Sequence, residues 1–445
     1  MPPESALPPP ECADCPQLAE LRQLVAALQQ RVEELEQQAH RSAAPFRRPP
    51  EQRRAEKRKP GNKPGHAPAW RPPPPTIDEY AQVPLEACPH CAGPLTNLRR
   101  VEQILEEPVL AVRRLHLTTY RGVCPQCGEV RSTHPEQVST AVGAAGVHLG
   151  RHALALAVQL NQSYGLTLRK TCRLLGEVLG LPLSAGGLSQ ARARVARTVE
   201  PAYDHLREQV RRSPVVHADE TGWWLGGEPA WLWDFTNQRY TLYHLGRRNA
   251  EVVREQLGDD FAGVLVSDCL SAYDAHPGRK SKCVLHHLRA IAEAREQQPG
   301  SRFLREMEAL WRGTLALHAA RAELDPAGYA YHVTALEAGL DRLLGREYPP
   351  GPEQKIANRL RKQRPHLLTF LHVAGVDPTN NQAERQLRPA VIARKLSGGN
   401  KTAAGARTFE ILASLAATCG QQGLSFSDQL VSWLRLGGPP SWEWT

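Results

Sequence analysis

Three carboxylates in this chain stand where chemistry on a phosphodiester would need them. Asp219 ends the apolar run Val215-Val216-His217-Ala218, which reads as a buried strand, and Asp268 ends a second run over 263–267. Glu384 sits on a polar helix expected over 380–392. Between the two aspartates the pattern gives a hairpin, with strands at 230–235 and 240–245 around Asn237-Gln238, then a helix over 249–257. A further strand is expected over 282–285. This order would put the three acids on adjacent elements of a ribonuclease-H-like sheet. Three neighbouring acids repel, and their desolvation is costly unless cations hold them. Two Mg²⁺ ions roughly 3.5 to 4 Å apart, with Mn²⁺ as a substitute, would do so. They would activate water or a 3′-hydroxyl and stabilise the leaving oxygen.

A second constellation is made of thiols. Cys88-Pro-His-Cys91-Ala-Gly93 and Cys124-Pro-Gln-Cys127-Gly128 are two copies of one knuckle. Two residues between the cysteines let both thiolates reach one ion, and a nearby glycine permits the positive-φ turn. Four thiolates make a closed tetrahedral site for structural Zn²⁺, whereas a redox dithiol wants one pair. The segment between the knuckles, 105–119, alternates enough to be a hairpin. A third pair, Cys12 and Cys15, lacks a partner pair and reads as free thiols, with zinc shared across a dimer as the other reading. The N-terminus has neither a basic nor an apolar leader segment, so a reducing, cytoplasmic and nucleoid-associated setting is expected.

The positive charge of the chain is concentrated. The formal net charge is +9, and residues 41–75 hold ten Lys and Arg against two Glu, with ten prolines. Proline blocks regular structure and like charges extend the segment. Such an arm suits a polyanion, because each neutralised phosphate releases counterions. Arg53, Arg54, Lys57, Arg58, Lys59 and Lys63 are its candidate DNA contacts. Just before it, Leu18, Leu21, Val25, Leu28, Val32, Leu35 and Ala39 repeat in a 3,4 rhythm. This is a short coiled-coil seam for a homodimer or higher oligomer, or else an amphipathic helix packed on its own chain.

These segments divide the chain of 445 residues. We expect a tail and coiled coil at 1–40, a basic Pro-rich linker at 41–78 and a zinc-ribbon-like module at 79–140. A helical region at 141–212 follows, a helix-turn-helix or a plain scaffold. The first part of an α/β catalytic domain spans 213–290, a helical insertion 291–376, the Glu-bearing and last helices 377–420, and a C-terminal tail 421–445. No uncharged apolar run is long enough to span a bilayer, so no membrane partner is expected.

The motifs carry a resemblance. His217-Ala-Asp219-Glu-Thr221-Gly, Ser267-Asp268 with Tyr273, and Asn381-Gln-Ala-Glu384-Arg385 with Leu387-Arg388-Pro389 resemble the signatures of DDE-type insertion-sequence transposases, the insertion-sequence-66 family in particular. Lys59-Pro-Gly61-Asn-Lys-Pro-Gly65-His66, the zinc module and the zipper stand in the same order as in that family. The resemblance implies strand cleavage and strand transfer at inverted-repeat DNA ends and into target DNA. Asp219, Asp268 and Glu384 take the magnesium-binding roles by position, and accessory proteins of the same element are compatible with it. A zinc-dependent DNA-binding regulator without catalysis is the alternative.

Cys283-Val-Leu-His286 resembles the family's Cys-x-x-His element, although Val284 stands where an aromatic is usual. A buried pair bracing the sheet is its plainer reading. Glu220 should face away from Asp219 as a surface or capping group, and His217 shares the Asp219 face. Arg385 and Arg388 either clamp phosphate or pair with the carboxylates. Trp223, Trp224, Trp231 and Trp233 read as core, with one free to stack on a base.

Overall fold

A computed structural model of the chain describes residues 111–137 and 147–436, with short stretches between 74 and 104. The coiled-coil seam, the arm residues Arg53, Arg54, Lys57, Arg58, Lys59 and Lys63, and Cys12, Cys15, Cys88 and Cys91 lie outside the described residues. The chain divides into two compact units, Met1–Glu107 and Pro108–Thr445.

The second unit opens with a small hairpin, β1 (Arg121–Cys124) and β2 (Gly128–Arg131). Three helices follow: α1 (Arg151–Gln162), α2 (Leu168–Leu179) and α3 (Ala185–Arg211). Then come β3 (Val215–Leu225), β4 (Glu228–Thr236), β5 (Thr241–Gly246), α4 (Ala250–Leu257), β6 (Val264–Ser267), the short α5 (Ser271–Asp274) and β7 (Arg279–Lys282). Four longer helices, α6 (Val284–Gln297), α7 (Arg302–Ala319), α8 (Pro326–Leu344) and α9 (Pro352–Gln363), lead through the short α10 (Thr369–His372). The chain then forms α11 (Asn381–Ser397), α12 (Ala403–Gln421) and α13 (Phe426–Leu436).

Five strands make one mixed sheet in the order β5-β4-β3-β6-β7. The first three are an antiparallel meander, and β6 and β7 run parallel to β3. Alternation divides the side chains of β3 between two faces. Val216 and Ala218 point into the main core with Trp233, Phe235 and Leu242, where α1, α3, α4, α12 and α13 pack. Trp223 faces the other way and packs with Leu232, Tyr243, Leu387 and Ala390 beneath α11. The helices α6 to α10 close a core of their own around Met307, Trp311 and Phe370, against Val264 and Val266 of β6. Among the described residues, no helix is long and apolar enough to cross a membrane.

The free edge of β5 shows how sequence closes a sheet. Backbone N–H groups of Thr241, Tyr243 and Leu245 donate to the side chains of Thr418, Ser414 and Glu410 on α12, at 3.0, 2.8 and 2.7 Å. Four helical residues rise about 6 Å, close to the span of two strand residues. Acceptors at every fourth position of α12 therefore meet every second N–H of β5. An edge that could recruit another strand is satisfied within the chain.

Several expectations change. The strand expected over 282–285 lies earlier, at Arg279–Lys282, and Val284 already begins α6. Residues 111–119, the described part of the expected 105–119 hairpin, carry no strand; the hairpin is β1–β2. Region 141–212 is no separate body, since α3 buries Val195, Val199, Leu206 and Val210 in the core of the sheet. The stretch taken as a C-terminal tail holds α13, which buries Phe426, Leu430 and Trp433.

Candidate active site

Asp219 lies midway along β3, directly opposite Asp234 of β4. On its other side, β6 pairs in parallel with Val266 opposite His217. That parallel pairing ends at His217 and Val266. Asp219 and Asp234 thus stand side by side on the face that α11 covers, and the charges of Asp268 and Glu384 reach Asp219. Asp268 lies just past the end of β6, where its Oδ1 accepts the backbone N–H of Leu270 at 2.8 Å. From behind, the fully buried Lys282 donates to the Asp268 carbonyl and pairs with Asp274, both at 2.9 Å. That ammonium fixes the loop carrying Asp268.

Glu384 enters from α11. Ala383, Leu387 and Ala390 are buried at helical spacing, and this stripe seats the helix on Trp223, Leu232 and Tyr243. Polar ties fix the register. Asn380, at the N-cap position, donates its Nδ2 to the Ala218 carbonyl at 2.8 Å. The Tyr243 hydroxyl donates to the Gln386 carbonyl at 2.5 Å, and Arg394 donates to Thr221 Oγ1 at 3.1 Å. Glu384 occupies the first turn, where the N-terminal end of the helix dipole favours a negative charge.

The electrostatics of Asp219 register this crowding. Burial, and then the charges of Glu220, Asp268 and Glu384, push its carboxyl up to about 7. A cation would offset that uncompensated negative charge. Among the described residues, no three His, Cys, Asp or Glu side chains form a ready-made metal cage. Mg²⁺ does not require one, since it is usually held by one or two carboxylates together with substrate phosphates. The donor set of hard carboxylate oxygens fits Mg²⁺ or Mn²⁺.

Neighbouring residues take defined places. Glu220 faces the opposite side from Asp219, as alternation requires, but it is neither a surface nor a capping group. Its side chain is 3% exposed, pairs with Arg248 at 2.7 Å and accepts the Tyr273 hydroxyl at 2.6 Å. Glu220→Gln should therefore lower stability by about 1–3 kcal/mol, the cost of a weakened buried partner, with cleavage retained. A thermal melt run beside a cleavage assay checks this, and abolished cutting in a folded variant would contradict the strand register.

His217 is buried on the Asp219 face, and burial holds its imidazole below the ordinary value. The Cys283 thiol is buried and accepts the Asn380 N–H at 3.2 Å, so it braces the start of α11. Nδ1 of His286 has no hydrogen-bond partner. Arg385 and Arg388 are exposed and, among the described residues, pair with no carboxylate; Arg385 bonds only Gln382 of its own helix, at 3.0 Å. Of the four tryptophans, Trp223 and Trp233 are buried, Trp231 lies under the Arg248 guanidinium, and Trp224 is half exposed.

Lys282, Asn380, Arg394 and Asp234 escaped the reading of the sequence. Nothing local marks them, because each matters through a partner brought close only by the fold.

The cysteine knuckle at Cys124 and Cys127 is a tight hairpin turn. Backbone N–H groups of Cys127 and Gln126 hold the Cys124 thiol below its ordinary value, which favours the thiolate a metal needs. Gly128, just after Cys127, takes φ +76. In the first unit Ala92, just after Cys91, takes φ +58. The left-handed position of the first knuckle thus falls on Ala92, not on Gly93.

No curated protein matches the chain. The model of the Transposase IS66 family matches residues 146–408, a span that contains Asp219, Asp268 and Glu384 and all of the five-stranded sheet. That match covers more than half of the chain, and the protein belongs to the Transposase IS66 family.

Proposed function

We propose that this chain catalyses metal-dependent strand cleavage and strand transfer at the inverted-repeat ends of an insertion sequence. Asp219 on β3 with Asp268 just past the end of the neighbouring parallel strand β6, and Glu384 in the first turn of α11, their charges reaching Asp219, carry this reading. The strand order β5-β4-β3-β6-β7 is the one a ribonuclease-H-like domain would have, and α6 to α10 stand where a helical insertion before the Glu is expected. Asp219, Asp268 and Glu384 would hold the cations. Two Mg²⁺ ions held there, or Mn²⁺ in their stead, would supply activation of a water or 3′-hydroxyl and stabilisation of the leaving oxygen. Lys282 and Asn380 keep the loop of Asp268 and the helix of Glu384 in place. Arg385 and Arg388, exposed beside Glu384 and uncommitted to acids, would grip phosphate. The basic arm would add contacts along the DNA backbone, and the coiled-coil seam would pair two copies.

The test is incubation of the full-length protein with duplexes carrying the terminal repeats of its element, a target duplex and Mg²⁺. Nicked ends and joined products that require the cation are expected. Retention of the duplex without any cutting in Mg²⁺ or Mn²⁺ would instead support a DNA-binding regulator that lacks catalysis.

We also propose a structural Zn²⁺ on Cys88, Cys91, Cys124 and Cys127. Freshly purified, reduced protein should contain about one zinc per chain, and its removal should unfold residues 80–135, because structural zinc binding is folding free energy. Metal analysis that finds no zinc would remove this module from the account.

A further inference from the structure

One carboxylate beside Asp219 has no assigned role. Asp234 is fully buried, and neither of its oxygens has a hydrogen-bond partner. It stands directly opposite Asp219 on one side and Tyr243 on the other. Neither neighbour satisfies it: Asp219 is itself an acid, and Tyr243 gives its hydroxyl proton to the Gln386 carbonyl at 2.5 Å. Among the described residues, no Lys, Arg or His pairs with it. Buried carboxylates are ordinarily hydrogen-bonded, paired or bound to a metal. On a strand reading Trp-Leu-Trp-Asp-Phe-Thr, a β-branched apolar residue would fill the same place without that cost. The register directs Asp234 to the face that carries Asp219, beneath the helix of Glu384.

We propose that Asp234 is a fourth carboxylate of the divalent-cation site, adding its charge behind Asp219 and so setting how tightly the cation is held. The proposal rests on the reading of Asp219, Asp268 and Glu384 as cation ligands. The position is tied to β3 by a continuous ladder from His217–Thr236 to Leu225–Glu228, so a bound cation would find Asp234 already in place.

The experiment is a Mn²⁺ titration of full-length protein, followed by electron paramagnetic resonance, on wild type, Asp234→Asn, Asp234→Val and Asp268→Asn. Mn²⁺ prefers oxygen ligands and reports on carboxylate sites. Loss of a supporting group around a metal weakens binding by about 10- to 100-fold, and that loss is expected in both Asp234 variants. Asp234→Val removes the charge without leaving an unpaired amide, so it should melt at or above wild type in chelator and keeps the test decisive if Asp234→Asn folds poorly. Weakened binding on Asp268→Asn with wild-type affinity in a folded Asp234 variant would overturn this proposal alone. Unchanged affinity in all variants would overturn the cation site and the proposal together.

Discussion

Cleavage of end-repeat DNA should fall by about 10³-fold or more in Asp219→Asn, Asp268→Asn and Glu384→Gln, while each variant still folds and binds DNA. The amide keeps nearly the volume of the acid and removes its charge. A metal pair contributes several kcal/mol of transition-state stabilisation, and each 1.36 kcal/mol is tenfold in rate. Loss of about 4 kcal/mol therefore gives the stated drop. The variants differ in what else they disturb. Asp268 accepts the Leu270 N–H at 2.8 Å, an interaction the asparagine oxygen can keep. Glu384 lies in the first turn of α11, where loss of charge forfeits a favourable dipole term of about 0.3–1 kcal/mol, too little to unfold a helix seated by Leu387 and Ala390. Single-turnover cutting rates measured beside DNA binding separate chemistry from affinity. Cutting near the wild-type rate by any one variant would remove that residue from the site.

The second large effect is on stability, with the opposite sign. In chelator at pH 8, Asp219→Asn should be more stable than wild type. The Asp219 carboxyl is pushed up to about 7, mainly by burial and then by Glu220, Asp268 and Glu384, against an ordinary value of 3.8. A folded-state value above the unfolded one means that the folded protein holds the proton more tightly. The proton-linked stability is complete below about pH 3.8 and is lost as pH rises to about 7. At 1.36 kcal/mol per pKa unit, the loss is up to about 4 kcal/mol. Asp219→Asn carries no such proton, so its melting temperature should lack this fall between pH 4 and 7. Addition of Mg²⁺ at pH 8 should raise the melting temperature of wild type by mass action and leave that of Asp219→Asn nearly unchanged. Parallel melts across pH, with and without Mg²⁺, check both statements. Coincident wild-type and variant curves would mean that Asp219 carries no strain from its neighbours.

The elements that carry the acids were legible because their patterns are local. Val215-Val216 and Val264-Leu265-Val266 are short β-branched and aliphatic runs, and each leads into its aspartate. The rest was hidden by long-range effects. β7 reads Arg-Lys-Ser-Lys, a sequence that looks like surface; it is a strand because Lys282 finds Asp274 and the Asp268 carbonyl inside the protein. α3 passes Pro201 and runs on to Arg211, held by the burial of Tyr203, Leu206 and Val210. α11 likewise passes Pro389 and ends five residues beyond the expected 392, at Ser397. Asp234 reads in the sequence as one polar residue in an aromatic strand, since only the β3–β4 register sets it beside Asp219. The Glu220 reading had the correct face but missed its partners, because Arg248 and Tyr273 lie 28 and 53 residues away in the chain.

The central claim is that Asp219, Asp268 and Glu384 jointly hold the cations. The most direct measurement is an anomalous-scattering map from crystals of the full-length protein soaked with Mn²⁺. The account predicts manganese density bounded by these three carboxylates, resolving into two peaks roughly 3.5 to 4 Å apart when end DNA is bound. Manganese held elsewhere in the chain, with no density among Asp219, Asp268 and Glu384, would contradict it.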